Sequence, residues 1–409
     1  MKYGLIGEHL SHSFSKMIHE RVASYEYEIH EVAKDKLRSF MLEKDFTAIN
    51  VTIPYKEEVI PYLDELSDLA KDIKAVNCIT NKNGYLKGYN TDVLGFIELV
   101  KYSDIDVKNK SVLVLGNGGA SKAIQVGLKK LGVKSILIAS ILNEEGTISY
   151  DDIYLHQEIE IIVNTTPVGM YPNNDHKIID VSKFKNLEGF IDVIYNPINT
   201  KTVLEAKELG IKAIGGLYML VAQAIKAIEI FLDKKLDDEI ISKVYEEIKN
   251  ENSNIVLIGM PSSGKSAIGK LIASKLNLEF IDTDEVIVNK IKMPIKDYFS
   301  LYGEDKFREL EHQVVEEIYK YTPKVISTGG GIIKNKSNID LLKQNGVIYF
   351  INRPLDKLFP SNDRPLSSNL DDLMNLYNTR LPLYQRYSDI EINNDEDINK
   401  AYLEILNRR

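Results

Sequence analysis

GMPSSGKS, Gly259 to Ser266, follows directly on the apolar run NIVLI, Asn254 to Ile258. The stretch satisfies Gly-x4-Gly-Lys-[Ser/Thr] without a mismatch, so a buried strand is expected to feed a phosphate loop. In such a loop, backbone N–H groups cradle phosphates, Lys265 reaches the outer phosphates and Ser266 binds magnesium. The expected nucleotide contacts are Gly259, Ser262, Ser263, Gly264, Lys265, Ser266 and Ala267, with a helix opening at Lys265 and running to Leu276. The motif sits well inside the chain, and what precedes it carries a second nucleotide signature of another kind.

That signature is SVLVLG, Ser111 to Gly116, continuing as NGGASKAIQVGLKKLG. A buried strand enters a glycine turn and then an amphipathic helix whose apolar side holds Ala123, Ile124, Leu128 and Leu131. Gly116 and Gly118 permit the turn and the close approach of a pyrophosphate, with Gly119 and Ala120 at the helix start. The third glycine of the usual pattern is Ser121 here. A glycine turn of this kind also occurs for packing alone. The next strand, Ser135 to Ala139, should end on the residue that reads the ribose, an acid for NAD or an arginine for NADP. Ala139, Ser140 and Ile141 supply neither, so the choice between NADPH and NADH stays open at this point.

Length and composition agree with a multi-part reading. The 409 residues exceed one ordinary core, and 44% hydrophobic with 27% charged residues describes a globular chain. A formal net charge of −9 argues against a nucleic-acid partner, which needs a basic face. Cys78 is the sole cysteine, which excludes an intrachain disulfide or a cysteine-built zinc site and suits a cytoplasmic location. The N-terminus turns polar too soon for a signal peptide. The most apolar later stretch, Leu217 to Leu232, is interrupted by Gln223, Lys226 and Glu229, so it is expected as a buried helix and no membrane partner is implied.

Strand-like and helix-like stretches alternate throughout, giving an α/β chain with parallel sheets. The polar stretch KNENSN, Lys249 to Asn254, is expected as a linker. A weaker boundary falls at Tyr102 to Lys110. The resulting segments are 1–100, 101–250 and 253–409.

Four clusters in the first segment bear on chemistry: SHSFS at Ser11 to Ser15, NVTIPYK at Asn50 to Lys56, AVN at Ala75 to Asn77, and GYNTD at Gly88 to Asp92. Each follows an apolar stretch, which places it at a strand end where open α/β sheets bind ligands. Hydroxyls, amides and one Lys/Asp pair suit a small, highly hydroxylated molecule. A random Lys/Asp pair is a surface salt bridge. Lys56, however, stands just after Pro54 in a turn closing a buried strand, where its ammonium can donate to a carbonyl oxygen with Asp92 orienting it.

With NTTPVGMYP at Asn164 to Pro172, DVIYNP at Asp192 to Pro197 and GLYMLVAQ at Gly216 to Gln223, these clusters resemble shikimate dehydrogenase over nearly all of residues 1 to about 250. The resemblance implies a two-domain dehydrogenase. A substrate-binding domain at 1–100 is completed by helices within 217–249, and a Rossmann-like dinucleotide domain spans 101–250. It implies NADPH-dependent reduction of 3-dehydroshikimate to shikimate. Lys56 and Asp92 would be the catalytic pair. Ser13, Ser15 and Tyr195 would hold the substrate carboxylate, and Thr52, Asn77 and Gln223 the ring hydroxyls. Gly216 and Met219 would lie near the nicotinamide. The family's arginine after the second cofactor strand is missing here, and the stretch from Ile141 to Glu160 is short and polar.

Beyond the phosphate loop, FIDTD at Phe280 to Asp284 closes the next strand with two acids, YGEDKFRELE at Tyr302 to Glu311 sets Arg308 one helical turn from Glu311, and STGGG at Ser327 to Gly331 offers bare backbone. A solvated ion pair and a turn-forming glycine run are the plain alternatives. With NDRPLSSN at Asn362 to Asn369 and RLPLYQRYSD at Arg380 to Asp389, the segment 253–409 resembles shikimate kinase. That implies ATP and Mg2+ as cofactors, with Ser266 and Asp282 supporting the metal. Asp284 would hold the acceptor hydroxyl, and Arg308 and Arg380 would clamp the shikimate carboxylate. Gly329, Gly330 and Gly331 would approach the ring, and Arg364 on a lid would act with Lys265 on the transferring phosphoryl group.

The product of the first reaction is the acceptor of the second. The expected function is therefore a bifunctional enzyme of aromatic amino-acid biosynthesis making shikimate 3-phosphate. The alternatives are a first half that takes a quinate-like acid, or one that only binds a metabolite and regulates the kinase. A homodimer is left open.

Overall fold

The computed structural model describes residues 1–10, 14–142, 144–320, 323–359 and 370–409. Ser13 and Arg364, both expected at active sites, lie outside the described residues. The chain divides into two compact units, Met1–Glu247 and Ile248–Arg409.

The first unit holds two sheets. One contains β1 (Tyr3–Gly7), β2 (Glu28–Glu31), β3 (Ala48–Val51), β4 (Glu65–Leu66), β5 (Cys78–Lys82) and β6 (Tyr85–Tyr89) in the order β2-β1-β3-β5-β6-β4. It is mixed: β1 pairs in parallel with β2 and β3, whereas β5 runs antiparallel to β3 and β6. The second sheet is parallel throughout. It contains β7 (Ser111–Leu115), β8 (Ser135–Ala139), β9 (Ile161–Asn164), β10 (Gly189–Asp192) and β11 (Lys212–Ile214) in the order β11-β10-β9-β7-β8. Every residue of β7 and β9 is buried, which is why both read as continuous apolar runs. The chain reverses its winding between β7 and β9, so their carboxyl ends form the crevice where such sheets take ligands. Among the described residues between β8 and β9 the one helical element is a 3-10 turn, Ile153–Leu155, in keeping with the short polar stretch seen in the sequence.

Helix Leu217–Leu232 returns to pack on helix Asp92–Tyr102 and on helix Phe14–Val22, all in the first unit. The first of these crossings depends on Gly95. A Cβ there would stand 2.7 Å from the Met219 carbonyl oxygen and 3.0 Å from the Gln223 backbone nitrogen.

The second unit is a parallel sheet of β12 (Asn254–Ile258), β13 (Glu279–Asp282), β14 (Lys324–Ser327), β15 (Gly346–Asn352) and β16 (Ile390–Asn393), ordered β13-β14-β12-β15-β16. Apolar clusters cover both faces, one built on Val256, Val314, Ile326 and Tyr384, the other on Leu257, Ile272, Val325 and Ile405. The phosphate-loop strand and the helix Lys265–Leu276 fall where the sequence put them. Lys249–Asn254 corrects the expected linker. Helix Ile240–Asn252 continues through it, and Asn254 already belongs to β12. Its polar composition marks a helix end, because Asn252 Nδ2 and Ser253 Oγ both donate to carbonyls of the last turn. The run Ile295–Ile318 is two helices meeting at Gly303, whose φ of 81° is non-helical.

Candidate active sites

In the first unit, Thr52 and Lys56 sit in the turn that leaves β3, and Asn77 immediately precedes β5. Asp92 opens the helix after β6, so topology alone gathers these groups at one end of the mixed sheet. Lys56 Nζ lies 2.7 Å from Asp92 Oδ2, with the lysine 29% and the aspartate 18% exposed. Asn77 Nδ2 donates to Asp92 Oδ1 at 2.9 Å and to Thr91 Oγ1 at 3.0 Å, and Asn77 Oδ1 accepts from the Thr91 N–H at 2.7 Å. The amide of Asn77 is thus engaged inside the protein as well as facing the cavity. Thr91 Oγ1 continues the chain to Gln223 Oε1 at 3.4 Å.

These groups face a cavity of about 390 Å³, whose lining also includes Ser15, Thr52, Ala120, Tyr195, Gly216, Met219 and Gln223. The expected substrate and nicotinamide residues therefore converge on one space, Ser13 aside. Phe14 packs edge-on against Tyr195 with ring centroids 5.8 Å apart. Gly216 passes so close to the Val193 carbonyl that a Cβ would collide with it.

The glycine turn fits a pyrophosphate. Gly116 has φ +98°, and a Cβ there would stand 2.9 Å from Thr166 Cγ2, so glycine is needed on both counts. The space before Gly118 and Gly119 is open, and helix Gly119–Leu131 starts there with its first N–H groups facing outward for an anion. A polar network that the sequence did not announce stiffens this crevice. Thr166 Oγ1 donates to Asn164 Oδ1 at 2.8 Å, Asn164 Nδ2 to Asp192 Oδ1 at 3.1 Å, and Thr200 Oγ1 to Asp192 Oδ2 at 2.8 Å. Burial pushes the Asp192 carboxyl up to about 7, against the pull of those donors and the Ile194 N–H.

In the second unit, Lys265 Nζ donates to the Gly259 and Met260 carbonyls at 3.0 and 2.9 Å, bracing the loop from within. Ser263 Oγ is buried with no hydrogen-bond partner among the described residues, as suits a donor aimed at phosphate oxygen. Asn394, just past β16, holds the loop by donating to the Ser263 carbonyl at 2.7 Å. Ser266 Oγ donates to Asp282 Oδ2 at 2.6 Å and meets Ser327 Oγ at 3.1 Å. This hydroxyl and carboxylate set suits Mg2+, which keeps most of its shell as water and phosphate oxygen.

Beside it lies the expected acceptor site. Arg308 Nη1 donates to Glu311 Oε2 at 2.7 Å, and Glu304 receives Arg308 Nε at 3.2 Å and Lys334 Nζ at 2.7 Å. Burial raises the Glu311 carboxyl, while Arg308 and Arg380 oppose that shift and Asp284 reinforces it, so these four charges share one neighbourhood. Arg380 Nη1 and Tyr384 Oη both donate to the Gly330 carbonyl, at 2.9 and 2.5 Å. Gly329 N–H donates to Thr283 Oγ1 at 2.9 Å, and a Cβ on Gly329 would stand 2.5 Å from Asp284 Oδ1. A Cβ on Gly331 would land on the Arg308 guanidinium. Gly329 and Gly331 are thus bare because charged side chains lean on them, while Gly330 lies against Pro261.

Fold and site together define an oxidoreductase with a Rossmann-like sheet, followed in the same chain by a P-loop phosphotransferase. Comparison with known proteins gives the families. Residues 5–79 match the family model of the shikimate dehydrogenase substrate binding domain, and residues 261–408 match that of shikimate kinase. A shikimate dehydrogenase (NADP(+)) of Clostridium beijerinckii is 39% identical over 266 residues, 61% of this chain and 98% of that protein. Among solved structures, a chorismate mutase/shikimate 5-dehydrogenase fusion protein from Clostridium acetobutylicum is 37% identical with a TM-score of 0.57, covering 61% of this chain and 96% of that one. A shikimate 5-dehydrogenase from Listeria monocytogenes, in complex with shikimate and NAD, is 27% identical with a TM-score of 0.54, covering 59% of this chain and 96% of that one. The chain belongs to the shikimate dehydrogenase family and carries a shikimate kinase domain after it, which makes it a bifunctional enzyme of the shikimate pathway. Among the described residues, no helix is long and apolar enough to cross a membrane.

Proposed function

We propose that the first unit reduces 3-dehydroshikimate to shikimate with a nicotinamide dinucleotide, NADPH or NADH, and that the second phosphorylates shikimate from ATP. The observation that carries the proposal is the Lys56–Asp92 pair at 2.7 Å, facing a cavity lined by hydroxyl and amide groups on one side and by Ala120, Gly216 and Met219 on the other.

Gly116, Gly118, Gly119 and Ala120 would hold the dinucleotide, which would supply the hydride when bound. Lys56 gives a proton to the oxygen that gains charge as the ketone becomes an alcohol, and Asp92 keeps the ammonium aimed at that oxygen. Asn77 fixes the second oxygen of Asp92, so the carboxylate cannot rotate away from Lys56. Ser15 and Tyr195 hold the substrate carboxylate, and Thr52 and Gln223 its ring hydroxyls.

In the second unit, Gly259, Ser262, Ser263, Gly264, Lys265, Ser266 and Ala267 hold ATP, with Ser266 and Asp282 supporting Mg2+. Arg308 and Arg380 clamp the carboxylate of shikimate, a task for which a guanidinium fork is shaped. Asp284 accepts a hydrogen bond from the acceptor hydroxyl and later takes its proton. Lys265 neutralises charge on the phosphoryl group in transfer. The test is direct. The full chain should oxidise a reduced nicotinamide dinucleotide when given 3-dehydroshikimate, and form ADP when given shikimate. Failure of either reaction removes that half of the proposal.

A further inference from the structure

Beyond β8, the loop of the cofactor sheet carries an acid that the strand-end residues themselves lack. The backbone folds it back: Glu144 N–H donates to the Leu142 carbonyl at 2.9 Å, Thr147 N–H to the Glu144 carbonyl at 3.2 Å, and Ile148 N–H returns to Ile138 at 2.8 Å. This fold brings the Glu144 carboxylate against the glycine turn, where Oε2 accepts from Asn117 Nδ2 at 2.6 Å. Asn117 stands between Gly116 and Gly118, the two residues the pyrophosphate must pass. Glu144 thus lies at the carboxyl edge of β7 and β8, beside the turn, where the adenosine ribose of a dinucleotide is read.

The charge balance there is one-sided. No lysine or arginine occurs from Ser135 to Tyr150, and Glu145 adds a second acid. The one lysine at the start of the glycine-turn helix, Lys122, is held by Glu57 at 2.8 Å. A ribose 2′-phosphate carries between one and two negative charges near neutral pH and needs cations to neutralise it. A carboxylate instead accepts from a free 2′-hydroxyl. The exposed Ile141 and Leu142 in the same loop add apolar surface of the kind an adenine covers.

We infer that Glu144, positioned by Asn117, selects a dinucleotide that lacks the 2′-phosphate, so that this chain binds NAD(H) in preference to NADP(H). The inference rests on the dehydrogenase reading of the first unit. It departs from the NADP(+) named for the Clostridium beijerinckii relative.

Equilibrium binding tests it without turnover. The full chain is titrated with NADH and separately with NADPH, following the fluorescence of the reduced nicotinamide, in saturating MgADP so that the phosphate loop of the second unit is blocked. NADH should bind roughly ten- to hundredfold more tightly than NADPH. Glu144→Gln should shrink that ratio by at least about fivefold, chiefly by tightening NADPH, and Asn117→Ala should shrink it less, because the acid stays but loses its anchor. Equal or tighter binding of NADPH by the unaltered chain, or an unchanged ratio in Glu144→Gln, overturns the assignment while leaving the dinucleotide site standing. Absence of binding by either dinucleotide overturns the site as well.

Discussion

Asn77 and Asp92 share a hydrogen bond of 2.9 Å on the one carboxylate oxygen that Lys56 does not use. The Asp92 carboxylate is therefore held from both sides, and in the proposed reduction Asn77, only 3% exposed, would help aim the lysine. Lys56→Ala should lower kcat for dehydroshikimate reduction by about 10²- to 10⁴-fold. Asn77→Ala should lower kcat by roughly tenfold or more through loss of aim, as well as raising KM. Steady-state kinetics on purified variants checks both, and an Asn77→Ala enzyme with kcat intact would show that Asp92 needs no second anchor.

The two guanidinium groups proposed to clamp the acceptor, Arg308 and Arg380, are held differently. Arg308 is tied to the carboxylates Glu311 and Glu304, whereas Arg380 donates to the Gly330 carbonyl beside Tyr384 and has no carboxylate partner among the described residues. Arg380→Lys retains the charge but not the fork, so KM for shikimate should rise by roughly ten- to hundredfold with the KM for ATP nearly unchanged. A uniform rise in both constants would place Arg380 outside the acceptor site.

Gly95 sets the distance between the helix that carries Asp92 and the helix that carries Met219 and Gln223. Gly95→Val should destabilise the first unit by about 1–3 kcal/mol, the usual cost of overpacking, and raise KM for dehydroshikimate because Gln223 is displaced. Thermal unfolding followed alongside dehydrogenase assays separates the two effects. Kinase activity at 25 °C should be untouched.

His19 gives the acid limb of stability. Burial lowers its pKa to about 3, from an ordinary value near 6.5, and its Nδ1 meets Tyr25 Oη at 2.7 Å while its ring stacks on Tyr27. The unfolded chain takes up a proton below about pH 6.5 that the folded one refuses until about pH 3. Stability is therefore present above pH 6.5 and lost progressively as pH falls through that window, on the order of 5 kcal/mol in all. His19→Gln should flatten the fall between pH 6.5 and 4 in denaturant titrations. Asp192 acts in the opposite sense. Its carboxyl is raised to about 7, so the folded state holds a proton that the unfolded chain has shed, and its share of stability declines from about pH 4 to 7.

Much of this was legible in the sequence where a residue type is demanded by backbone geometry. Gly116 and Gly264, at φ +98° and +95°, had to be glycine, and they marked both loops. The Lys56–Asp92 pair was legible because each residue stands at a strand end. Contacts between distant positions left no such mark. Nothing in the local sequence says that Asn394 grips the phosphate loop 131 residues back, that Thr283 receives Gly329, or that Glu144 returns to Asn117. The same holds for the stretch from Lys249. Its composition is that of a linker, yet tertiary context extends a helix through it to Asn252.

The central claim is that one chain carries two chemically separate active sites. It is tested most directly by assaying both reactions in Lys56→Ala and in Lys265→Ala, each as the full chain and each shown to be folded by circular dichroism. The account predicts that Lys56→Ala loses dehydroshikimate reduction and keeps shikimate phosphorylation, and that Lys265→Ala does the reverse. A folded variant that lost both activities together would contradict it.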